Sequence, residues 1–152
     1  MLFLGLPHLD PNKKRYEQFS KVYHLFKGVL VGFMTFIYFL ASAAALGYPV
    51  SISYIMPLSI GLLFVVLGNY MSKIKPNWFM GIRTPWTLSN EEVWNKTHRI
   101  GGKIFIAIGL IMIIGSFLPI EGYWNLFPWM IILFVLIPLV YSYLLYRKIE
   151  KK

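Results

Sequence analysis

Four long runs without a charged residue constrain the fold of this chain more than any other feature. They cover residues 28–47, 50–71, 104–120 and 126–146. A helix needs about 20 apolar residues to cross the hydrocarbon core of a bilayer. The runs do not alternate polar and apolar residues, which disfavours transmembrane strands. The run 104–120 is the shortest and is also compatible with a buried core helix. The sequence predicts an all-α integral membrane protein with a four-helix transmembrane bundle.

Composition supports a membrane environment over a soluble one. The mean hydropathy is +0.60 and 14% of residues are charged, whereas a soluble domain carries about 25% charged residues. A net charge of +9 is compatible with nucleic-acid binding, but the hydrophobicity argues against that class. The chain has no cysteine, which excludes disulfides and thiolate sites.

The distribution of basic residues predicts the orientation of the bundle. All fifteen Lys and Arg residues lie before the first run, in the loop 72–103, or after the fourth run. Basic residues concentrate on the cytoplasmic side of membrane proteins. We therefore predict a multi-pass protein of the cell membrane, with both termini and the loop 72–103 in the cytoplasm.

The four-span domain is expected to cover residues 28–146, followed by a basic cytoplasmic tail over 147–152. Residues 1–27 are predicted to be a juxtamembrane segment with a basic amphipathic helix, although a solvated linker is an alternative. The apolar start, MLFLGLPHLD, is interpreted as the inner end of a span whose earlier part is absent.

Small residues and prolines within the runs suggest how the helices pack. Gly28 and Gly32 form a GxxxG pair, which is expected to allow close packing within the bundle, with a dimer interface as the less favoured alternative. Pro57 and Pro138 are expected to kink the second and fourth spans.

The loop between the second and third runs carries signals for a further helix. Ser89 and Glu92 have the spacing of a capping box, which predicts a helix over residues 90–100. Gly101 and Gly102 are expected to end or hinge that helix before the third span. One face would carry Val93, Trp94, Thr97 and Ile100, and another Asn95, Lys96 and Arg99.

These features predict a structured cytoplasmic loop that covers the inner ends of the helices. The guanidinium of Arg83 suits a carboxylate such as Glu91 or Glu92, or an acidic group of a partner. The alternative is an interfacial loop held by tryptophan anchors. The candidate partner-binding network consists of Asn69, Arg83, Thr84, Trp86, Glu91, Glu92, Trp94, His98 and Arg99.

The segment GNYMSKIKPNWFMGIRTPWTLSNEEVWNKTHRIGGK, residues 68–103, resembles the signature of the SdpI immunity-protein family. The segment PHLDPNKKRYEQFSKVY also resembles the junction that follows the upstream membrane segment of that family. The expected departure from longer members is at the N-terminus, where they carry further spans before this point. The resemblance implies protection of a bacterial cell from a membrane-active toxic peptide. It also implies that a cytoplasmic transcriptional repressor is held at the membrane. The hydrophobicity of the chain leads us to expect no direct nucleic-acid binding.

Other classes of function are less favoured by the sequence. The runs contain no ionisable Asp, Glu, Lys, Arg or His, which intramembrane chemistry normally needs. His8, His24 and His98 lack metal-ligand spacing. We therefore expect no catalytic residue, no metal and no cofactor. A small transporter, or a binder of an apolar or lipid-like ligand, is the alternative.

Overall fold

The computed structural model describes residues 19–118 and 127–151, and these residues form helices without any strand. The helices are α1 (Ser20–Ala45), α2 (Ile52–Met71), α3 (Pro85–Ser89), α4 (Glu91–Ser116) and α5 (Phe127–Glu150). All but α3 are long and apolar enough to cross a membrane. The predicted all-α fold with four candidate spans is confirmed, and the chain is a multi-pass membrane protein.

The helices α2 and α4 form the centre of the bundle because glycines let their backbones approach closely. A Cβ atom on Gly61 would lie 2.7 Å from the carbonyl oxygen of Gly109, and one on Gly68 would lie 2.7 Å from that of Gly102. These two pairs run in opposite directions along the helices, so α2 and α4 are antiparallel. Lipid chains are as apolar as the helices, so close packing of small residues is a main source of helix association.

The helix α1 is attached chiefly through its first two turns. Phe19, Tyr23 and Phe26 are buried in one cluster with Met71 of α2 and Trp94 of α4. Further along α1, a Cβ on Gly28 or Gly32 would meet nothing within 4 Å. The prediction that these two glycines pack within the bundle is therefore wrong for the described residues.

The helix α4 is longer than the sequence predicts. It runs without a break from the loop after α2 into the third span, so Gly101 and Gly102 do not end it. Both glycines are buried, and a Cβ on Gly101 would overlap the side chain of Ile82. Neither position has room for a side chain, because the loop contacts Gly101 and α2 contacts Gly102. The helix α1 also runs without a break through Lys27, the residue at which the juxtamembrane segment was predicted to end.

The two helices that contain proline are also continuous. The helix α2 runs through Pro57 and α5 runs through Pro138. Pro57 is buried. The kinks remain predictions. Of the predicted N-terminal segment, residues 1–18 lie outside the described residues.

Contacts at one end of the bundle bring its basic segments together. The first turns of α1 pack against Met71 and Trp94. The last turns of α5 meet the loop, because Ser142 lies beside Thr84. The start of α1, the end of α2, the start of α4 and the end of α5 therefore share one end of the bundle. We call this the basic end of the protein.

Candidate functional site

The inner loop, residues 72–90, is folded against the first turns of α4. Trp94 is fully buried, and its indole Nε1–H donates a hydrogen bond to the carbonyl oxygen of Ile74 at 2.8 Å. Asn77 is also buried and organises the next turn. Its Oδ1 accepts from the backbone N–H groups of Phe79 and Met80, at 2.9 and 2.6 Å. The start of the inner loop is thus held by buried polar contacts rather than by lipid.

His98 fixes the middle of the inner loop. Its Nδ1 lies 2.9 Å from the carbonyl oxygen of Trp94, which can only accept, so Nδ1 carries the proton. Its Nε2 therefore has a lone pair, which accepts from the N–H of Ile82 at 3.0 Å. The imidazole is stacked on the Trp94 ring, with centroids 4.1 Å apart. Both nitrogens are occupied, so this histidine has no free lone pair or proton for catalysis.

The position of His98 also determines its protonation. The charged residues of α4 up to Lys103 place its first three turns outside the apolar segment that begins at residue 104. Burial within the protein lowers the pKa of His98 from 6.5 to about 4, and the hydrogen bond to the Trp94 carbonyl opposes this only in part. The imidazole is therefore neutral at physiological pH, as the bond from Ile82 requires.

Gly81 is required for the approach of the inner loop to His98. Its φ of +101° lies in the left-handed region, where residues with a side chain are strained. A Cβ at this position would also overlap His98 Nε2. The only residue type that satisfies both conditions without strain is glycine. We define the His98 cluster as Ile74, Gly81, Ile82, Trp94 and His98.

A second set of contacts joins the inner loop to α5. Thr84 caps α3, since its Oγ1 accepts from the N–H of Thr87 at 3.2 Å and the Thr87 hydroxyl oxygen accepts from the N–H of Thr84 at 2.8 Å. The Oγ1 of Thr84 lies 3.3 Å from Ser142 Oγ. The Ser142 hydroxyl donates to the Leu139 carbonyl at 2.8 Å, which leaves its oxygen able to accept. The Thr84–Thr87 capping box was not predicted from the sequence.

The cap of α4 differs from the sequence prediction. Asn90 is the N-cap residue, and its Oδ1 accepts from the N–H groups of Glu92 and Val93 at 2.9 and 3.1 Å. Ser89 instead belongs to α3 and donates its hydroxyl to the carbonyl of Trp86 at 3.2 Å. The predicted Ser89–Glu92 capping box is therefore wrong. The preceding α3 ends at Ser89, which moves the start of α4 by one residue.

The predicted faces of α4 are confirmed. Val93, Trp94 and Thr97 are buried, whereas Lys96 and Arg99 are exposed. The hydroxyl of Thr97 is buried without a hydrogen-bond partner in the part of the chain that the structure describes. The 3.6-residue period determines these faces, and the loop covers the apolar one.

Three residues of the predicted network lie in the buried framework, and one lies beside it. Thr84, Trp94 and His98 are buried. Trp86 is half-buried, and its ring centroid lies 5.1 Å from that of Tyr143 on α5. These four hold the inner loop to α4 and α5. The structure therefore brings them together through the loop rather than around a shared cavity.

The remaining predicted residues are at the surface. Asn69, Glu91 and Arg99 are exposed. Arg83 is exposed and its Nη1 donates to the carbonyl oxygen of Trp78. Glu92 forms an ion pair with Lys96, with 2.6 Å between Oε1 and Nζ. Arg83 and Glu92 thus make contacts with residues close to them in the chain. The exposed residues of the network form a polar surface around the inner loop.

Some residues that build the site carried little signal in the sequence. Gly81 and Ser142 each act through a partner that only the folded chain brings near. Asn77 acts on the nearby backbone N–H groups of Phe79 and Met80. Gly81 was visible as a glycine in MGIRTPW, but its left-handed conformation was not. No group of three His, Cys, Asp or Glu residues that could hold a metal occurs within residues 19–118 and 127–151.

Comparison with known proteins locates the similarity in this same region. Residues 73–142 match the model of the SdpI/YfhL protein family. The immunity protein SdpI of Bacillus subtilis (strain 168) is 33% identical over 106 residues, which are 70% of this chain and 51% of the relative. The chain thus spans about half the length of that relative. No solved structure matches the chain. The matched segment contains nearly all of the inner loop together with α4 and most of α5, and this segment, residues 73–142, belongs to the SdpI/YfhL family.

Proposed function

We propose that this chain is a bacterial membrane immunity protein that protects the cell from a membrane-active toxic peptide. We further propose that its inner loop can hold a transcriptional repressor at the membrane. The observation that carries the proposal is the coincidence of the family match, residues 73–142, with the folded loop and its supporting helices. The relative named as an immunity protein supports the first activity.

The physical argument for the inner loop is that it combines a rigid frame with an exposed polar surface. The His98 cluster and the Thr84–Ser142 contact fix the loop to two spans. Arg83 is exposed above this frame, and Trp78 is 51% exposed. Arginine and tryptophan are the residue types that most often dominate binding energy at interfaces. A preorganised loop also loses little conformational entropy on binding.

Recruitment of a cytoplasmic protein requires the basic end to face the cytoplasm, which we propose from the positive-inside rule. The chain has no cysteine, so single-cysteine variants report without background. Pro49→Cys should react with a membrane-impermeant maleimide on intact cells. Ser89→Cys should react only after permeabilisation. Labelling of Ser89→Cys from outside would reverse the proposed orientation.

The immunity activity can be tested by expression in a sensitive bacterial strain exposed to a panel of membrane-active peptides. Cells that express the chain should survive at least one peptide at concentrations that kill cells with an empty vector. Equal killing by every peptide, with the protein verified in the membrane, would contradict an immunity function for this chain.

The role of the inner loop can be tested by surface variants that spare its buried frame. Arg83→Gln and Trp78→Ala should reduce peptide resistance or repressor recruitment, measured separately at matched protein levels. Lys148→Gln is the control, because it removes an exposed charge on α5 outside the loop. If both loop variants keep both activities, the loop is only a structural connection.

A further inference from the structure

Two openings follow one another along the seam between α1 and α2. The first is a cavity of about 550 Å³ at the basic end, lined by Ser20, Lys21 and Leu25 of α1 and by Tyr70 and Lys73 at the end of α2. The second is a groove of about 340 Å³ deeper in the bundle. It is bordered on α1 by Val29, Gly32 and Phe33, and on α2 by Leu62, Leu63 and Val66. We call the pair the α1–α2 seam.

The first opening has the charge of an anion site. Lys21 and Lys73 both line it, and among its lining residues within 19–118 and 127–151 no side chain is acidic. Both lysines are exposed. The Nζ of Lys73 lies 4.6 Å from the centroid of the Tyr70 ring, which places its charge at the wall of the cavity. Ser20 and Tyr70 add hydroxyl groups. A phosphate would therefore find two positive charges and neutral donors in one opening.

The second opening is almost entirely apolar, and its depth corresponds to one leaflet. A helix rises about 1.5 Å per residue, so the groove begins about 12 Å from Lys21, at Val29, and ends about 22 Å from it, at Phe36. Half the thickness of a bilayer with its headgroups is roughly 20–22 Å. The seam thus extends from the headgroup level at Lys21 to the middle of the membrane.

The seam stays open because α1 and α2 approach each other less closely than α2 and α4. Gly61 and Gly68 bring the backbones of α2 and α4 into contact, whereas a Cβ on Gly32 of α1 would meet no atom within 4 Å. In a bilayer, such a space is filled by a lipid chain rather than by water, because the groove walls offer almost no hydrogen bonds.

We propose that the α1–α2 seam binds one anionic phospholipid from the leaflet on the basic side. The phosphate lies between Lys21 and Lys73, and one acyl chain occupies the groove beside Gly32. Basic pockets between transmembrane helices are a recognised type of site for anionic headgroups. This proposal stands on the charge and polarity of the seam and is independent of the immunity function.

Lipid titration of the full-length protein in detergent, read by native mass spectrometry, tests the headgroup site. Phosphatidylglycerol should bind more tightly than phosphatidylcholine. One basic residue near an anionic surface contributes about fivefold in affinity, so Lys21→Gln with Lys73→Gln should weaken phosphatidylglycerol binding about 25-fold. Lys103→Gln with Lys148→Gln is the control. It removes the same charge from exposed positions that do not line the seam, and it should change binding less than about twofold.

A matched pair of glycine variants tests the acyl-chain groove. Gly32→Leu places a side chain in the groove and should reduce lipid retention several-fold. Gly28→Leu makes the same change one turn earlier. A Cβ at Gly28 would meet nothing within 4 Å, and Gly28 does not line the groove. This variant should therefore retain the lipid. Equal effects of the two variants would overturn the acyl-chain placement.

Three further outcomes would overturn the proposal that the seam binds a phospholipid. The first is equal affinity for phosphatidylcholine and phosphatidylglycerol. The second is displacement of the lipid by glycerol 3-phosphate at comparable concentration, which would indicate a site for a soluble anion. The third is a lipid-free dimer that Gly32→Leu dissociates, which would assign the groove to a second copy of the chain.

Discussion

The replacement of His98 by phenylalanine tests how the inner loop is held. The N–H of Ile82 donates to the imidazole at 3.0 Å in the native protein. Phenylalanine keeps a flat ring of similar size against Trp94 but offers that N–H no acceptor. A buried donor left without a partner costs about 1–3 kcal/mol. We expect His98→Phe to lower the free energy of unfolding by that amount at neutral pH.

The pH dependence gives a second and sharper readout. The folded pKa of about 4 lies below the usual 6.5 of histidine. The unfolded state therefore takes up a proton first as the pH falls. The stabilisation by the neutral imidazole is complete above pH 6.5. It is lost as the pH falls from 6.5 to about 4, and the total loss of stability is roughly 3 kcal/mol as an upper limit. His98→Phe lacks this loss, so its stability should converge with that of the wild type near pH 4.

The assay is reversible unfolding in mixed detergent micelles, followed by tryptophan fluorescence from neutral pH down to about pH 4. Hydrogen exchange at the Ile82 amide reports the same opening locally. His24→Phe is the control, because His24 is exposed on α1 and should leave both curves unchanged. If His98→Phe has the stability of the wild type at neutral pH, or retains its acid-dependent loss, the imidazole does not hold the loop.

Three further tests address the glycine positions and the cap of α4. Gly81→Ala should destabilise the protein by about 1–3 kcal/mol more than Gly47→Ala, because both positions have positive φ but only the first also displaces the imidazole. Thermal unfolding measures this difference, and equal losses would contradict it. Asn90→Ala should lower the local stability of α4 by about 1 kcal/mol, and Ser89→Ala by less than about 0.5 kcal/mol. Amide exchange in the first turn of α4 measures both losses. A larger loss for Ser89→Ala would mean that Ser89 is the cap after all. Gly102→Ala should cost about 1–3 kcal/mol in detergent unfolding, because its Cβ would lie 2.6 Å from a backbone oxygen of α2, and an unchanged stability would mean that the two helices separate freely.

Local patterns in the sequence were sufficient for the spans and for the faces of α4. Apolar length alone predicts a spanning helix, since the hydrocarbon core has a fixed thickness. The burial of Val93 and Thr97 follows from the helical period, because residues three and four apart share a face. The concentration of all fifteen basic residues in three segments was also visible in the chain itself.

The sequence could suggest, but not decide, which local signals the fold uses. Ser89 and Asn90 are both acceptable caps, and the choice depends on where α3 ends. The pair Gly28 and Gly32 has the spacing of a packing motif, yet the close contacts are made at Gly61 and Gly68 on α2. A small residue permits close approach, but only a facing helix produces it.

The tertiary structure alone decided what the candidate site is made of. The sequence drew attention to His98 as a polar residue in a charged segment, whereas the fold buries it and places Ile82 against its second nitrogen. Ser142 lies far along the chain from Thr84, and only the return of α5 brings their hydroxyls within 3.3 Å. Periodicity and capping act between neighbours in the chain, so the sequence determines helices and their faces. The bonds from Ile82 to His98 and between Thr84 and Ser142 join distant segments, so they are determined only when the helices pack.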